Sequence, residues 1–475
     1  MDTYKRNYWS LYLDFIDSFK GLTYKGISLP YLFHFRSLIR KNKELVNALH
    51  EESFGKYLKN TVQSTGEVQS IFDSFINLHK RENTMSRKGG KVVLHDVANL
   101  LRFPKQTINQ HFNPSNTIML KDRKMITTST NDNNESYGLP VYYLNQFLEK
   151  SGVQTEIVKN TQYAKKIINT YNKHPLFSDT GFQQVLFNQI EKTIKLINGS
   201  RKFLNSVPTT CIIFASTHYP ESRTLALVAA EKGIPTICMQ HGIISSEFGY
   251  FPQIATVNAV YGNFEVEWYR QMGVNDQSVE IIGHPRFDLI FRSPSISKNQ
   301  FQESIGLDPE KKTILMIVRG EKGIDRWRDF IQYLLRKTDV NIIIKDYPST
   351  KPYKLTKESS SVFPSMNIEL YDILQYVDVV VTYHSTVGLE AMLADRPAFV
   401  LNNEFSAPSG YFNALEKLIQ EDPVLLAKQV INYLNGKLVN YEQRKRMEFL
   451  SYAYSLDTTS GERLKHLVNK LTNNE

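Results

Sequence analysis

The sequence predicts an α/β protein made of two doubly wound domains, with a helical extension before them and a helical tail after them. Short β-branched apolar runs alternate with helix-length amphipathic segments through most of the chain, which is the pattern of βαβ units with buried parallel strands. Polar clusters containing His, Arg or Ser recur at the predicted carboxyl ends of those runs. A stretch rich in turn formers, residues 293–298, divides the alternation into two halves. The expected organisation is a helical N-terminal region at 1–85, a first Rossmann-like domain at 86–292 and a second at 293–475 that includes the tail.

In chain order, large apolar residues recur at helical spacing through 8–19, from Tyr8 and Trp9 to Phe15 and Phe19. Such a stripe beside Lys and Arg suits either a packed core or a membrane interface. Strands are expected at 91–97 and 117–121, with a polar surface loop at 127–136 and a long helix at 182–204. The first clear βαβ unit follows, with strand 211–215, a helix opened by Pro220 and closed by Gly233, and strand 234–239. Strand 255–261, helix 264–272 and the run from Val279 to Asp288 complete the first half. After the divide come strand 313–318, helix 324–336 and strand 341–345. The most regular βαβ unit is 379–401, in which Ser385 and Thr386 are placed to cap a helix and Arg396-Pro397 stops it. From residue 415 the chain reads as helical.

A chain of 475 residues is long enough for two or three domains, and 41% hydrophobic residues suffice for their cores. Only two cysteines occur, Cys211 and Cys238, both in predicted strands, which points to buried thiols rather than disulfides or a metal site. No apolar run reaches the roughly 20 residues of a membrane span and the N-terminus lacks a signal-peptide core, so a cytoplasmic protein is expected. A net charge of +9 favours anionic partners, with the inner membrane face among the candidates. No basic face interleaved with aromatics supports nucleic acid. No P-loop, nucleophile elbow or paired metal-ligand pattern is present, and neither a metal nor a cofactor is expected.

The residue types at the strand ends carry the chemistry. Ser385, Thr386 and the unpaired N–H groups of the helix they open suit a phosphate, and Gly388 in its first turn would let a ligand approach. His384 precedes them and suits phosphate or structure. Glu390, on the same helical face as Thr386, is placed to accept from ribose hydroxyls or simply to sit on the surface. Arg286 and Arg319 suit either bidentate bonds to phosphate oxygens or ion pairs on the surface or linker, and Lys345, ending a strand, has the same two readings. His241 follows a strand and precedes Gly242, so it projects either as a general base or as a turn histidine bonded to a carbonyl. His218, ending the preceding strand, is its rival.

The segments from Met239 to Gly242, from Gly283 to Asp288 and from Ser385 to Ala391, with Pro397 after the helix, resemble bacterial surface-polysaccharide transferases of two Rossmann-like domains. These are the GT-B capsule-polysaccharide and CDP-glycerol glycerophosphotransferase-like proteins and, more distantly, the UDP-N-acetylglucosamine 2-epimerases. The run from Lys25 to Leu29 is similar to an N-terminal signature of surface-carbohydrate proteins. The resemblance covers about 205–405. It implies a nucleotide-sugar donor held by the second half, through Ser385, Thr386 and Glu390, and a lipid-linked or polysaccharide acceptor near His241. Glycerophosphotransferase-like enzymes carry Lys-x-His-Pro where this chain has Lys345, Asp346, Tyr347 and Pro348, which favours sugar transfer over glycerol phosphate transfer. The Asp/Glu pair expected of an epimerase is not evident beside Gln240.

Overall fold

The structure is a computed structural model; it describes residues 1–475 except 82–88, 124–137, 149–151, 172, 320–322, 346–353, 403–407, 455–458 and 473–475. The first sheet contains β1 (Lys91–Asp96), β2 (Thr117–Lys121), β3 (Val141–Tyr143), β4 (Thr209–Phe214), β5 (Thr236–Met239), β6 (Val257–Val260) and β7 (Val279–Ile281), in spatial order 3-2-1-4-5-6-7. The second contains β8 (Lys312–Ile317), β9 (Val340–Lys345), β10 (Val362–Pro364), β11 (Val379–Thr382), β12 (Ala398–Leu401) and β13 (Ile419–Gln420), in order 10-9-8-11-12-13. All pairings within both sheets are parallel. Each sheet therefore reverses its winding once, between β1 and β4 and between β8 and β11. Ligands of open α/β sheets bind at such points.

The strands form where β-branched residues are buried on both faces. Val379, Val380 and Val381 are fully buried, and β11 pairs with β8 from Ile314↔Val379 to Ile317↔Thr382. The expected strands are all present. Three short edge strands were not expected: β3, β10 and β13. The last of these interrupts a stretch predicted as wholly helical.

The N-terminal region is not a separate layer. Helices α1 (Thr3–Ser18) and α2 (Thr65–His79) share one hydrophobic core with α3 (Thr180–Ser206) and α4 (Pro220–Glu231). Trp9 is 1% exposed and Phe15 and Phe19 are fully buried, with the Phe15 ring 6.1 Å from Phe182 and edge-on to it. The aromatic stripe thus packs inward and offers no apolar face to a membrane. Edge-on ring pairs of this kind contribute about 0.5–1.5 kcal/mol beyond the area they bury. Among the described residues no helix is long and apolar enough to cross a membrane.

The tail also departs from expectation. After helix α5 (Asn263–Gln271) and the second sheet with its helix α6 (Thr386–Leu393), α7 (Val439–Ala453) leads into α8 (Ser460–Thr472), which returns to the first sheet. Leu464, Leu467 and Val468 of α8 share a core with Leu94, Cys211 and Ile213. Asp288 fixes this return by accepting from the N–H groups of Ser460 (2.9 Å) and Gly461 (3.1 Å). Gly283, at φ 75°, is needed there because a Cβ would lie 2.5 Å from the Tyr454 hydroxyl. The segment from Gly283 to Asp288, read from sequence as a functional cluster, is thus largely the joint between the halves. The polar run 127–136 lies wholly outside the described residues, and so do Asp346, Tyr347 and Pro348.

Candidate active site

At the second reversal, β11 ends and Ser385 caps α6, its hydroxyl accepting from the N–H of Val387 at 3.2 Å. Arg319 lies just beyond β8 and is exposed. Lys345 ends β9, with its Nζ donating to the Ile368 carbonyl at 2.6 Å. These three positions border one carboxyl edge because β9, β8 and β11 are adjacent in the sheet.

In the first domain β5 runs into the turn of Gln240, His241 and Gly242. The Gln240 side chain holds this turn: its Nε2 donates to the Gly242 carbonyl (3.0 Å) and to Glu265 Oε1 (2.9 Å), and its Oε1 accepts from the N–H of Tyr261 (3.0 Å). Glu265, fully buried in the first turn of α5, also accepts from the N–H of Gly262 at 3.0 Å. Burial pushes its carboxyl up to about 8 against the opposing hydrogen bonds of Gln240 and Gly262. Tyr250 donates its hydroxyl to the Gly242 carbonyl at 2.9 Å and lays its ring on the His241 imidazole, 4.9 Å away and 13° from parallel.

His241 is therefore a half-buried, oriented imidazole. Burial, with the Arg102 charge second, lowers its pKa to about 4, so it is neutral near pH 7 as a base must be. His218 lies beside it, bordering a small cavity with Ser216, Thr217, Cys238 and Tyr250. Its pKa is held well below the usual range by burial and then by Arg223, and its Nε2 is buried without a partner among the described residues.

The two edges touch. The N–H of Ile243 donates to Thr386 Oγ1 at 3.2 Å, and a Cβ on Gly242 would stand 3.1 Å from that oxygen. The N–H of Ser409 donates to the Ser245 carbonyl at 3.1 Å. The His241 turn thus rests directly on the start of α6.

Arg286 and Glu390 form a second crossing. An Arg286 terminal nitrogen lies 2.7 Å from Glu390 Oε1, which also accepts from the Tyr371 hydroxyl at 2.7 Å. Glu390 is 1% exposed. It lies on the buried side of α6 with both partners on it, not out on the surface.

No family model matches the sequence. Over 156 residues the chain is 26% identical to the lipid-A-disaccharide synthase of Geobacter metallireducens, a match covering 30% of this chain and 38% of that protein. The chain thus spans well under half the length of this curated relative. Among solved structures, the UDP-GlcNAc 2-epimerase from Neisseria meningitidis bound to UDP-GlcNAc superposes with a TM-score of 0.51 at 12% identity, covering 81% of this chain and all of that one. The glycotransferase of kitacinnamycin gives the same TM-score and coverage at 9% identity. The chain has the GT-B fold.

Within the GT-B fold, His241, Ser385, Thr386, Arg286 and Glu390 are brought together, with Arg319 and Lys345 along the second sheet's edge. Gly388 is not open to a ligand: a Cβ there would lie 3.0 Å from the Phe412 ring and 3.3 Å from the Thr382 methyl, so its smallness serves packing. His384 packs 4.9 Å from Phe412, and burial lowers its pKa to about 4. Sequence reasoning missed Tyr250, Tyr371 and Glu265. Only Glu265 left a signal, as an acidic residue three positions into a helix opened by a glycine. Among the described residues no group of three or more His, Cys, Asp or Glu is arranged to hold a metal ion.

Proposed function

We propose that the chain is a glycosyltransferase that moves a sugar from a nucleotide-activated donor to a lipid-linked or polysaccharide acceptor, in the building of a bacterial surface polysaccharide such as a capsule. The observation that supports this best is the contact of the His241 turn with the start of α6, through Ile243 and Thr386 at 3.2 Å. It sets a neutral imidazole next to a helix N-terminus suited to phosphate.

In this reading an acceptor hydroxyl gives its proton to His241 as its oxygen bonds the anomeric carbon. The bond from that carbon to the phosphate oxygen breaks, and the nucleoside diphosphate leaves with the electron pair. The N–H groups of α6 and the cations Arg286, Arg319 and Lys345 meet the charge that develops on the leaving phosphate. Ser385 keeps the helix start in shape, and Thr386 ties it to the base. His218 is the second imidazole at the site. The donor is a substrate, and the reading requires no resident cofactor.

Nucleotide sugars are made in the cytoplasm, where this reading places the protein. Contact with the inner membrane face would be electrostatic, through the net charge of +9, because the aromatic stripe is internal.

The test is acceptor-dependent nucleotide release from UDP-, CDP- and GDP-sugars in the presence of a lipid-linked or polysaccharide acceptor fraction. Release that requires acceptor supports the proposal. Conversion of a UDP-sugar to another sugar without acceptor would replace it with epimerisation.

A further inference from the structure

Four features of the Arg286, Tyr371 and Glu390 cluster belong together. Arg286 follows β7 of the first domain, whereas Glu390 in α6 and Tyr371 in the helix Leu370–Tyr376 belong to the second. A single oxygen, Glu390 Oε1, takes both the guanidinium and the phenol at 2.7 Å. The carboxylate side chain is 2% exposed, while the arginine side chain keeps 20%. The Nε of Arg286 is buried with no hydrogen-bond partner among the described residues. A guanidinium has five N–H donors in a rigid fork, and the Glu390 oxygen and the Tyr371 hydroxyl, which also bonds the guanidinium, do not use all of them.

A buried carboxylate engaged from two sides is poorly placed to exchange its partners for ribose hydroxyls. Losing the Arg286 contact would leave a charge desolvated and unpaired, which costs far more than a neutral hydroxyl returns. What remains accessible is the exposed fifth of the arginine side chain, which does not include the buried Nε. We propose that Glu390 and Tyr371 are positioning residues that hold Arg286 across the domain boundary, so that the terminal N–H groups they leave exposed meet the donor diphosphate. Glu390 then acts on the nucleotide through Arg286 and not through the ribose. This deepens the donor reading above and rests on it.

The same geometry gives the arrangement a direction. Arg286 is fixed to α6, whose N-terminus is the phosphate-binding candidate, although its backbone belongs to the opposite domain. Anion binding at α6 therefore draws on a residue that only the assembled two-domain structure supplies.

The test begins with the tightest binder among UDP, CDP, GDP and ADP, titrated against the wild type, Glu390→Gln, Tyr371→Phe and Arg286→Lys. The 2′-deoxy and 3′-deoxy forms of that nucleotide and the parent nucleoside are titrated in parallel, and thermal melting confirms that each variant is folded. The inference expects at least a tenfold weaker diphosphate for Glu390→Gln and Arg286→Lys and a smaller loss for Tyr371→Phe. The same factors should hold for the deoxy nucleotides, and nucleoside affinity should not change. If the deoxy forms bind the wild type as weakly as Glu390→Gln binds the parent, Glu390 touches ribose and the inference is wrong. Diphosphate affinity within twofold of wild type in folded Glu390→Gln also overturns it. Should Glu390→Gln not fold, Tyr371→Phe and Arg286→Lys decide by the same comparison. If none of the four nucleotides binds the wild type, the donor reading itself fails, which is a different result.

Discussion

The hydroxyl of Thr386, the first residue of α6 in the second domain, accepts a hydrogen bond from the backbone N–H of Ile243, two residues past His241 in the first. A side chain expected to bind phosphate is therefore also a fastener between the two sheets' carboxyl edges. It sets the distance from the candidate base to the helix N-terminus.

Thr386→Val keeps the shape of the side chain and removes the acceptor, leaving the Ile243 N–H unpaired. A part-buried donor left unmade costs about 1–3 kcal/mol. Urea unfolding should show a loss of that size, and Thr386→Ser should restore most of it. Equal stability of Val and Thr at this position would mean that the contact fastens nothing.

His241 gives a pH dependence whose sign is fixed. Its pKa falls from 6.5 to about 4 on folding, through burial and then Arg102. Between those values the unfolded chain binds a proton that the folded chain does not, so stability is lost as pH drops from about 6.5 to about 4. One such proton contributes a slope of at most about 1.4 kcal/mol per pH unit. His34, His174 and His384 are likewise lowered to about 4 by burial, so the protein should lose stability steeply in this window. Denaturation at several pH values should show a slope shallower by up to one proton in His241→Asn, with no difference above about pH 7.

Phe15 tests the N-terminal region. It is fully buried, with ring centroids of Phe19 and Phe35 at 5.1 and 5.5 Å. Phe15→Ala should destabilise the first domain by about 3–5 kcal/mol, as large core deletions do. Trp9, Trp268 and Trp327 are all buried as well. Anionic vesicles with brominated acyl chains should therefore leave tryptophan fluorescence unquenched even where the protein adheres. Quenching would show that the aromatic stripe inserts.

Much of this was legible in the sequence because both sheets are parallel and buried. Runs such as Val379 to Val381 have one favourable fate, and the cap at Ser385 and the stop at Arg396-Pro397 are local signals. The edge strands were not legible: β10 is three residues ending in Pro364, and β13 is two, too short for any period to register. The aromatic stripe of α1 could be read as core or as membrane face, since periodicity says that a helix has an apolar side and not what covers it. The return of α8 to the first sheet depends on the Asp288 bonds to Ser460 and Gly461, some 170 residues apart in sequence. His241 and Ser385 lie just past the carboxyl ends of β5 and β11, where the strand pattern put them. The partners of Glu390 were hidden because Arg286 and Tyr371 reach it from other elements.

The measurement that tests the account most directly is the turnover of His241→Ala beside a titration of its nucleotide. Positioned acid–base groups contribute about 10²–10⁴-fold, so acceptor-dependent release of nucleotide should fall at least about a hundredfold while nucleoside diphosphate affinity stays at the wild-type value. Near-normal turnover in a folded His241→Ala protein would contradict the account and pass the role to His218 or to an acidic group.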